Sequence, residues 1–317
     1  MQPLLSARRA GQLLGALALA PSVALAHEGQ PIAPHDLWRS WTFDLPITVP
    51  LVVTLAIYVL GVRTLWRRAG RGRGVRRWEA AAFVGGWLTL VLALVSPLHA
   101  MGESLFSAHM AQHELLMTVA APLLVLGRPV VPTLFALSPA ARRRVTGWTA
   151  GAVFRSLWST ITRPGVAWVL HAIAIWGWHI PAAYDATLRS ELAHALQHIS
   201  FLGTALLFWW TVLRPTWATR GVGLVSLFTT MLHTGALGAI LAVSPHLWYP
   251  AYADTTRAWG LAPLDDQQLG GLIMWIPGGI AYLAAALVML AGSLRESERR
   301  ARPWTEHTGM EVGWRAS

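Results

Sequence analysis

The chain has 317 residues, 54% hydrophobic and only 13% charged, with a mean hydropathy of +0.45; a soluble domain does not carry so apolar a surface, so it reads as a polytopic membrane protein. The net charge of +10 comes from arginines set between apolar runs, where positive charge orients a chain in the lipid bilayer, and this excludes nucleic acid as a partner. With no cysteine, disulfides, thiolate zinc sites, thiolate copper relays and covalently attached CxxCH haem are also excluded; imidazole, carboxylate and thioether remain as metal ligands.

In chain order, residues 1–26 read as a secretory signal peptide, with Arg8 and Arg9, an apolar core and the small-x-small site Ala24-Leu25-Ala26. The alternative is an uncleaved anchor, for which the core is short. Cleavage makes His27 the first mature residue, where an amine beside an imidazole suits copper; a ring lying idle at the chain end is the plainer reading. Residues 27–46 form a periplasmic segment. The membrane domain, 47–292, holds seven apolar runs at 47–66, 78–98, 105–127, 165–180, 194–213, 221–243 and 269–292. About 20 helical residues at 1.5 Å each cross the hydrocarbon layer, so the expected fold is all-α, a seven-helix transmembrane bundle. Residues 293–317 form a charged tail.

Alternate loops differ in charge. Arg63, Arg67, Arg68, Arg71, Arg73, Arg76 and Arg77 follow the first run, and Arg128, Arg142, Arg143, Arg144, Arg155 and Arg163 follow the third. The opposite side holds only Arg39, Arg189 and Arg257, an asymmetry that places the N-terminus outside and the C-terminus in the cytoplasm.

That orientation gives the histidines a depth. The third run opens with His109-Met110-Ala111-Gln112-His113 and the fifth with His194-Ala195-Leu196-Gln197-His198. Each i, i+4 pair shares one helical face, in the outer half of the membrane. His99 and His179 close the runs before them, His246 follows the sixth run and His233 lies within it; of the twelve histidines only His171 and His307 fall clearly on the inner side. The last hairpin returns through Asp265-Asp266-Gln267-Gln268, which suggests three related hairpins around an outward-facing centre.

Ionisable groups inside a membrane are costly and face the bundle interior or a water-filled cavity. Paired imidazoles can grip one ion, although Glu114 is adjacent to the first pair and not interposed as in HExxH. A hydrogen-bonded or proton-conducting cluster is the alternative, and haem would need axial histidines facing each other across two helices. Imidazole with thioether suits copper; zinc would use histidine with Asp265 or Asp266. The candidate metal ligands are His109, His113, His179, His194, His198 and His233, with His99, His246, His27, Met110 and Met117 as a second set. No catalytic triad, phosphate loop or fixed acid–base pair is present, so the chain does not read as an enzyme. Trp176, Trp178, Trp209, Trp210, Trp248, Tyr249, Tyr252, Trp259 and Trp275 stand near run ends, as interfacial aromatic belts do. Pro122 and Pro277 interrupt runs, where freed carbonyls need other partners.

Several stretches carry a resemblance: His109-Met110-Ala111-Gln112-His113 with the following APLLVLGRP, Trp178-His179-Ile180-Pro181-Ala182-Ala183-Tyr184, Gln197-His198-Ile199-Ser200-Phe201 leading to Phe208-Trp209, His233-Thr234-Gly235-Ala236-Leu237-Gly238, and Tyr249-Pro250-Ala251-Tyr252. Together, over residues 45–292, the chain resembles the seven-helix cytochrome c oxidase assembly factors of the CtaG type, associated with caa-type oxidases. The resemblance implies a multi-pass protein of the bacterial inner membrane. Its implied partners are cytochrome c oxidase subunits, and its implied role is maturation of a haem-copper oxidase by supplying or inserting copper from the outer face. His109, His113, His179, His198 and His233 match the family's motif histidines; His194, His99 and His246 rest on depth and pairing. Two other readings use the same residues: a copper or proton transporter or channel, and a b-type haem membrane protein of an electron-transfer chain.

Overall fold

The structure, a computed structural model, describes residues 32–214 and 220–307, with side chains to residue 298. The expected signal peptide and His27 lie outside the described residues. All seven apolar runs are helical. Among the described residues five helices are long and apolar enough to cross a membrane: α1 (Leu45–Ala69), α2 (Arg77–Leu94), α10 (Glu191–Leu213), α11 (Arg220–Val243) and α12, which spans Pro263–His307. Two bent pairs bring the crossings to seven when each is taken as one: α4 (Phe106–Leu126) with α5 (Val130–Ala136) at 59°, and α8 (Pro164–Trp178) with α9 (Pro181–Arg189) at 74°. Short helices α3 (Pro97–Ser104), α6 (Pro139–Thr149) and α7 (Ala152–Ile161) complete the set. Large apolar side chains such as Leu60, Leu88, Ile173, Ile199, Val225 and Val288 point outward from the spans, as a bundle bathed in lipid requires.

Helix starts follow local chemistry. Proline occupies the first turn of α1, α3, α6, α8 and α9, where no amide hydrogen is needed. Ser96, Ser138 and Ser190 accept bonds from the backbone N–H of Leu98, Ala141 and Ala193. The cap at Ser96 corrects one expectation: the run at 78–98 is two helices, because α2 stops at Leu94 and Ser96-Pro97 start α3. The helix of the last run continues through residue 293, where the tail is expected to begin, as far as His307.

α4 is the central element, packed against α2, α3, α10 and α12. Between Leu115 and Ala120 it widens into a π-helical turn, in which each N–H reaches five residues back. Pro122 follows this turn and has no N–H for the carbonyl of Met117, which instead accepts a bond of 2.8 Å from the indole of Trp209 on α10. The sequence places Trp209 in an interfacial belt; it is a buried strut, because the proline leaves a carbonyl only a neighbouring helix can satisfy. Tyr249 and Tyr252 likewise leave the expected belt for the core, each hydroxyl spent on a backbone carbonyl, of His179 at 2.8 Å and of Gly102 at 2.9 Å.

Candidate metal centre

Three elements deliver the histidine rings to one end of the bundle. α3 brings His99, α4 brings His109 and His113, and α10 brings His194 and His198. One ring nitrogen from each of His109, His194 and His198 lies within 4.8 Å of the other two. The centroids are 4.3 Å apart for His194 and His198, 5.2 Å for His109 and His194, and 5.9 Å for His109 and His198. His113 stands 4.3 Å from His109 and 5.3 Å from His198, and His99 stacks on His194 at 5.4 Å. The i, i+4 spacing explains the pairs, and the packing of α10 along α4 explains why the two pairs meet.

The glutamine of each HxxQH motif serves a histidine outside its own motif. Gln112 Nε2 donates to the Ala93 carbonyl at 2.7 Å and meets His99 Nδ1 at 2.9 Å, so that ring nitrogen is an acceptor. Burial lowers the His99 ring below the ordinary imidazole range, with the Asp44 carboxylate opposing, which agrees with a neutral ring. Gln197 Oε1 lies 3.1 Å from His109 Nε2, while His109 Nδ1 is 3.3 Å from the Gly102 carbonyl. A carbonyl only accepts, so Nδ1 carries the proton and Nε2 of a neutral ring is bare. Turning the Gln197 amide then gives Nε2 a donor and also employs the amide nitrogen, which otherwise has no partner.

The remaining rings keep nitrogens without any hydrogen bond. Both nitrogens of His113, and Nε2 of His194 and of His198, are buried and unpartnered. Buried polar atoms are almost always satisfied, so four such nitrogens side by side stand out as candidate ligand atoms; among the described residues His171 and His233 each carry one more, apart from the group. Ligands at about 2.0 Å from a shared ion lie roughly 3.3 Å apart, so the trio needs a contraction of about 1.5 Å at most.

Aromatic rings floor the cluster. Phe106, Tyr184 and Tyr249 pack ring to ring at 4.3 to 5.5 Å, and Tyr184 shares a bond of 2.9 Å with the hydroxyl of Tyr252. Burial raises the Tyr249 and Tyr252 hydroxyls above the ordinary phenol range, keeping both protonated as donors. His179, at the end of α8, completes the group through His113 at 6.5 Å, with Met110 against its ring.

Other expected residues lie elsewhere. His233, on α11, packs against Trp168 at 5.6 Å and accepts a bond of 3.2 Å from Trp176, away from the converging rings. His246 is exposed, with its carbonyl taking a bond from Gln267. Met117 is buried below the cluster, its carbonyl engaged by Trp209. Asp266 is not free to ligate: it accepts bonds from the amides of Phe106, at 2.6 Å, and Ser107, at 3.2 Å, and from the Ser107 hydroxyl, so it caps α4 from α12. Gln112 and Gln197 are the positioning residues not among the expected ligands; their signal was the repeated glutamine before the second histidine of each motif.

The family described as cytochrome c oxidase caa3 assembly factor (Caa3_CtaG) matches residues 56–296. An uncharacterized protein of Mycobacterium leprae is 28% identical over 271 residues, covering 82% of this chain and 40% of its own length. One of Mycobacterium bovis is 27% identical over 286 residues, covering 86% of this chain and 42% of its own. The chain thus spans about two-fifths of the length of these relatives. No solved structure matches it. With the family pattern extending across the bundle and its histidine motifs meeting at one end, the chain belongs to the cytochrome c oxidase caa3 assembly factor family.

Proposed function

We propose that the protein is a non-catalytic assembly factor that holds copper as cargo among the rings of α4 and α10 and passes it to subunits of a haem-copper cytochrome c oxidase at the outer face of the bacterial inner membrane. The observation that carries this reading is the set of buried, unpartnered nitrogens on His113, His194 and His198 beside His109. Imidazole with neighbouring thioether favours copper, and of the two carboxylates expected for zinc Asp266 is committed to capping α4 while Asp265 is exposed on the surface of α12. Rings that lie 4.3 to 5.9 Å apart leave no slot for a macrocycle between opposed axial ligands, which weighs against haem. Inward of the cluster the core is largely Phe201, Phe208, Trp209, Leu116 and Met117, with Glu114 and His171 as the buried ionisable groups among them, a lining that favours holding over conduction. The arginine asymmetry supports an outer location, with the C-terminus in the cytoplasm.

The test is copper retention by the purified full chain, its visible spectrum and oxidase assembly in the host strain. The double variant His109→Ala, His198→Ala is expected to retain less copper than wild type, losing the ion held by the His109–His194–His198 group, and to leave the oxidase deficient in copper. Undiminished copper with normal oxidase, or a Soret band in the purified protein, would overturn the reading.

A further inference from the structure

His179 Nδ1 is 2.6 Å from the carbonyl of Ile175. That oxygen only accepts, so the ring hydrogen is on Nδ1 and Nε2 presents a lone pair. Nε2 faces the sulfur of Met110 at 3.4 Å. A thioether has no hydrogen to give. Two lone-pair atoms therefore meet in a buried contact, with no hydrogen on either for the other to accept. A second proton on the ring would relieve the confrontation only by placing a charged imidazolium in the interior with sulfur as its sole acceptor there.

A cation between them removes the conflict. Bonds of about 2.0 Å to nitrogen and about 2.3 Å to sulfur reproduce the observed separation at an angle near 105°. His113 stands next to this pair and next to the trio, and both its nitrogens lack partners, so it can complete either group. The wall is rigid: Phe201 packs edge-on to His113 at 4.6 Å and tilts against His179 at 6.2 Å, while Tyr249 holds the His179 backbone.

We propose that Met110 and His179, with His113 as a shared ligand, form a second seat, selective for monovalent copper, next to the His109–His194–His198 group. The inference rests on the copper reading and extends it: the cluster is a two-place relay in which the ion changes ligands as Cu(I) with no electron transferred. The sulfur gives the second seat its preference, because a thioether is a soft ligand and holds Cu(I) in preference to Zn(II).

The experiment titrates the purified full chain, anaerobically and with reductant, with Cu(I) against a chromophoric chelator, and separately with Zn(II). Wild type is expected to hold two equivalents of Cu(I), with a sulfur scatterer near 2.3 Å by X-ray absorption. Met110→Leu, which conserves volume, is expected to hold one equivalent without sulfur, and to bind Zn(II) as wild type does. His109→Ala with His198→Ala is expected to keep the sulfur-ligated equivalent. Full stoichiometry in Met110→Leu, or no sulfur scatterer in wild type, overturns the second seat. In that event, loss of copper from the His109, His198 variant still upholds the copper reading. Failure of wild type to bind Cu(I) at all overturns both.

Discussion

Gln197 on α10 lies 3.1 Å from Nε2 of His109 on α4, so the glutamine of the second HxxQH motif closes off the nitrogen that the first motif would offer to the proposed copper ion. An ion that uses this nitrogen must displace the amide. A net hydrogen bond of about 1 kcal/mol opposes binding at this point, which corresponds to about fivefold in affinity. Gln197→Leu is therefore expected to bind copper several-fold more tightly in chelator competition and to release it more slowly. Weakening by tenfold or more would mean that the amide orients the ring in the bound state, as outer partners of metal ligands often do.

Asp266 separates structure from ligation. Its carboxylate satisfies the first amides of α4 and the Ser107 hydroxyl from across the bundle. Asp266→Ala leaves those donors buried without an acceptor, at a cost of about 2–4 kcal/mol. The expected result is a lower thermal midpoint in detergent, with copper per folded protein unchanged and partial recovery in Asp266→Asn. Loss of metal in a variant that stays folded would make Asp266 part of the site.

The five long apolar helices and the two bent pairs were legible because each run is long, apolar and bounded by arginine, proline or serine. The meeting of His109 and His113 with His194 and His198 was legible for a related reason: both pairs open their helices at one end of the bundle. Sequence spacing says nothing, however, about partners across space. His233 has the same credentials in the sequence, yet the face of α11 that turns inward is Thr234, Leu237, Gly238 and Leu241, which leaves the ring with Trp168 and Trp176. Asp266 looked like a ligand and is a cap, because α12 happens to pass the start of α4. Trp209 and Tyr249 looked interfacial and are buried, because proline and a helix end leave carbonyls that only their side chains reach. These assignments depend on packing between elements far apart in the chain.

Close packing of α11 and α12 depends on glycine. A Cβ on Gly271 would lie 2.5 Å from the backbone nitrogen of Ala242 and 2.6 Å from the oxygen of Gly238, contacts no side chain rearrangement relieves. Gly271→Ala is expected to cost at least 1–3 kcal/mol, as overpacking does, and Gly271→Val to abolish folding. Gly279, whose added Cβ would meet only Met231 at 4.0 Å, is expected to accept alanine without loss. Yield of monodisperse protein on size exclusion measures both. Normal yield of Gly271→Val would show that the helices do not approach this closely.

Orientation decides which compartment the rings face, and the absence of cysteine makes it directly measurable. Asp254 is exposed in the turns between α11 and α12, at the histidine end, and Thr146 is exposed on α6, among the arginines. The charge asymmetry places the first outside and the second in the cytoplasm. In intact spheroplasts a membrane-impermeant maleimide is expected to label Asp254→Cys at once and Thr146→Cys only after the membrane is opened. The reverse pattern would turn the histidine cluster toward the cytoplasm and remove the proposed delivery at the outer face, while leaving the ring geometry itself untouched.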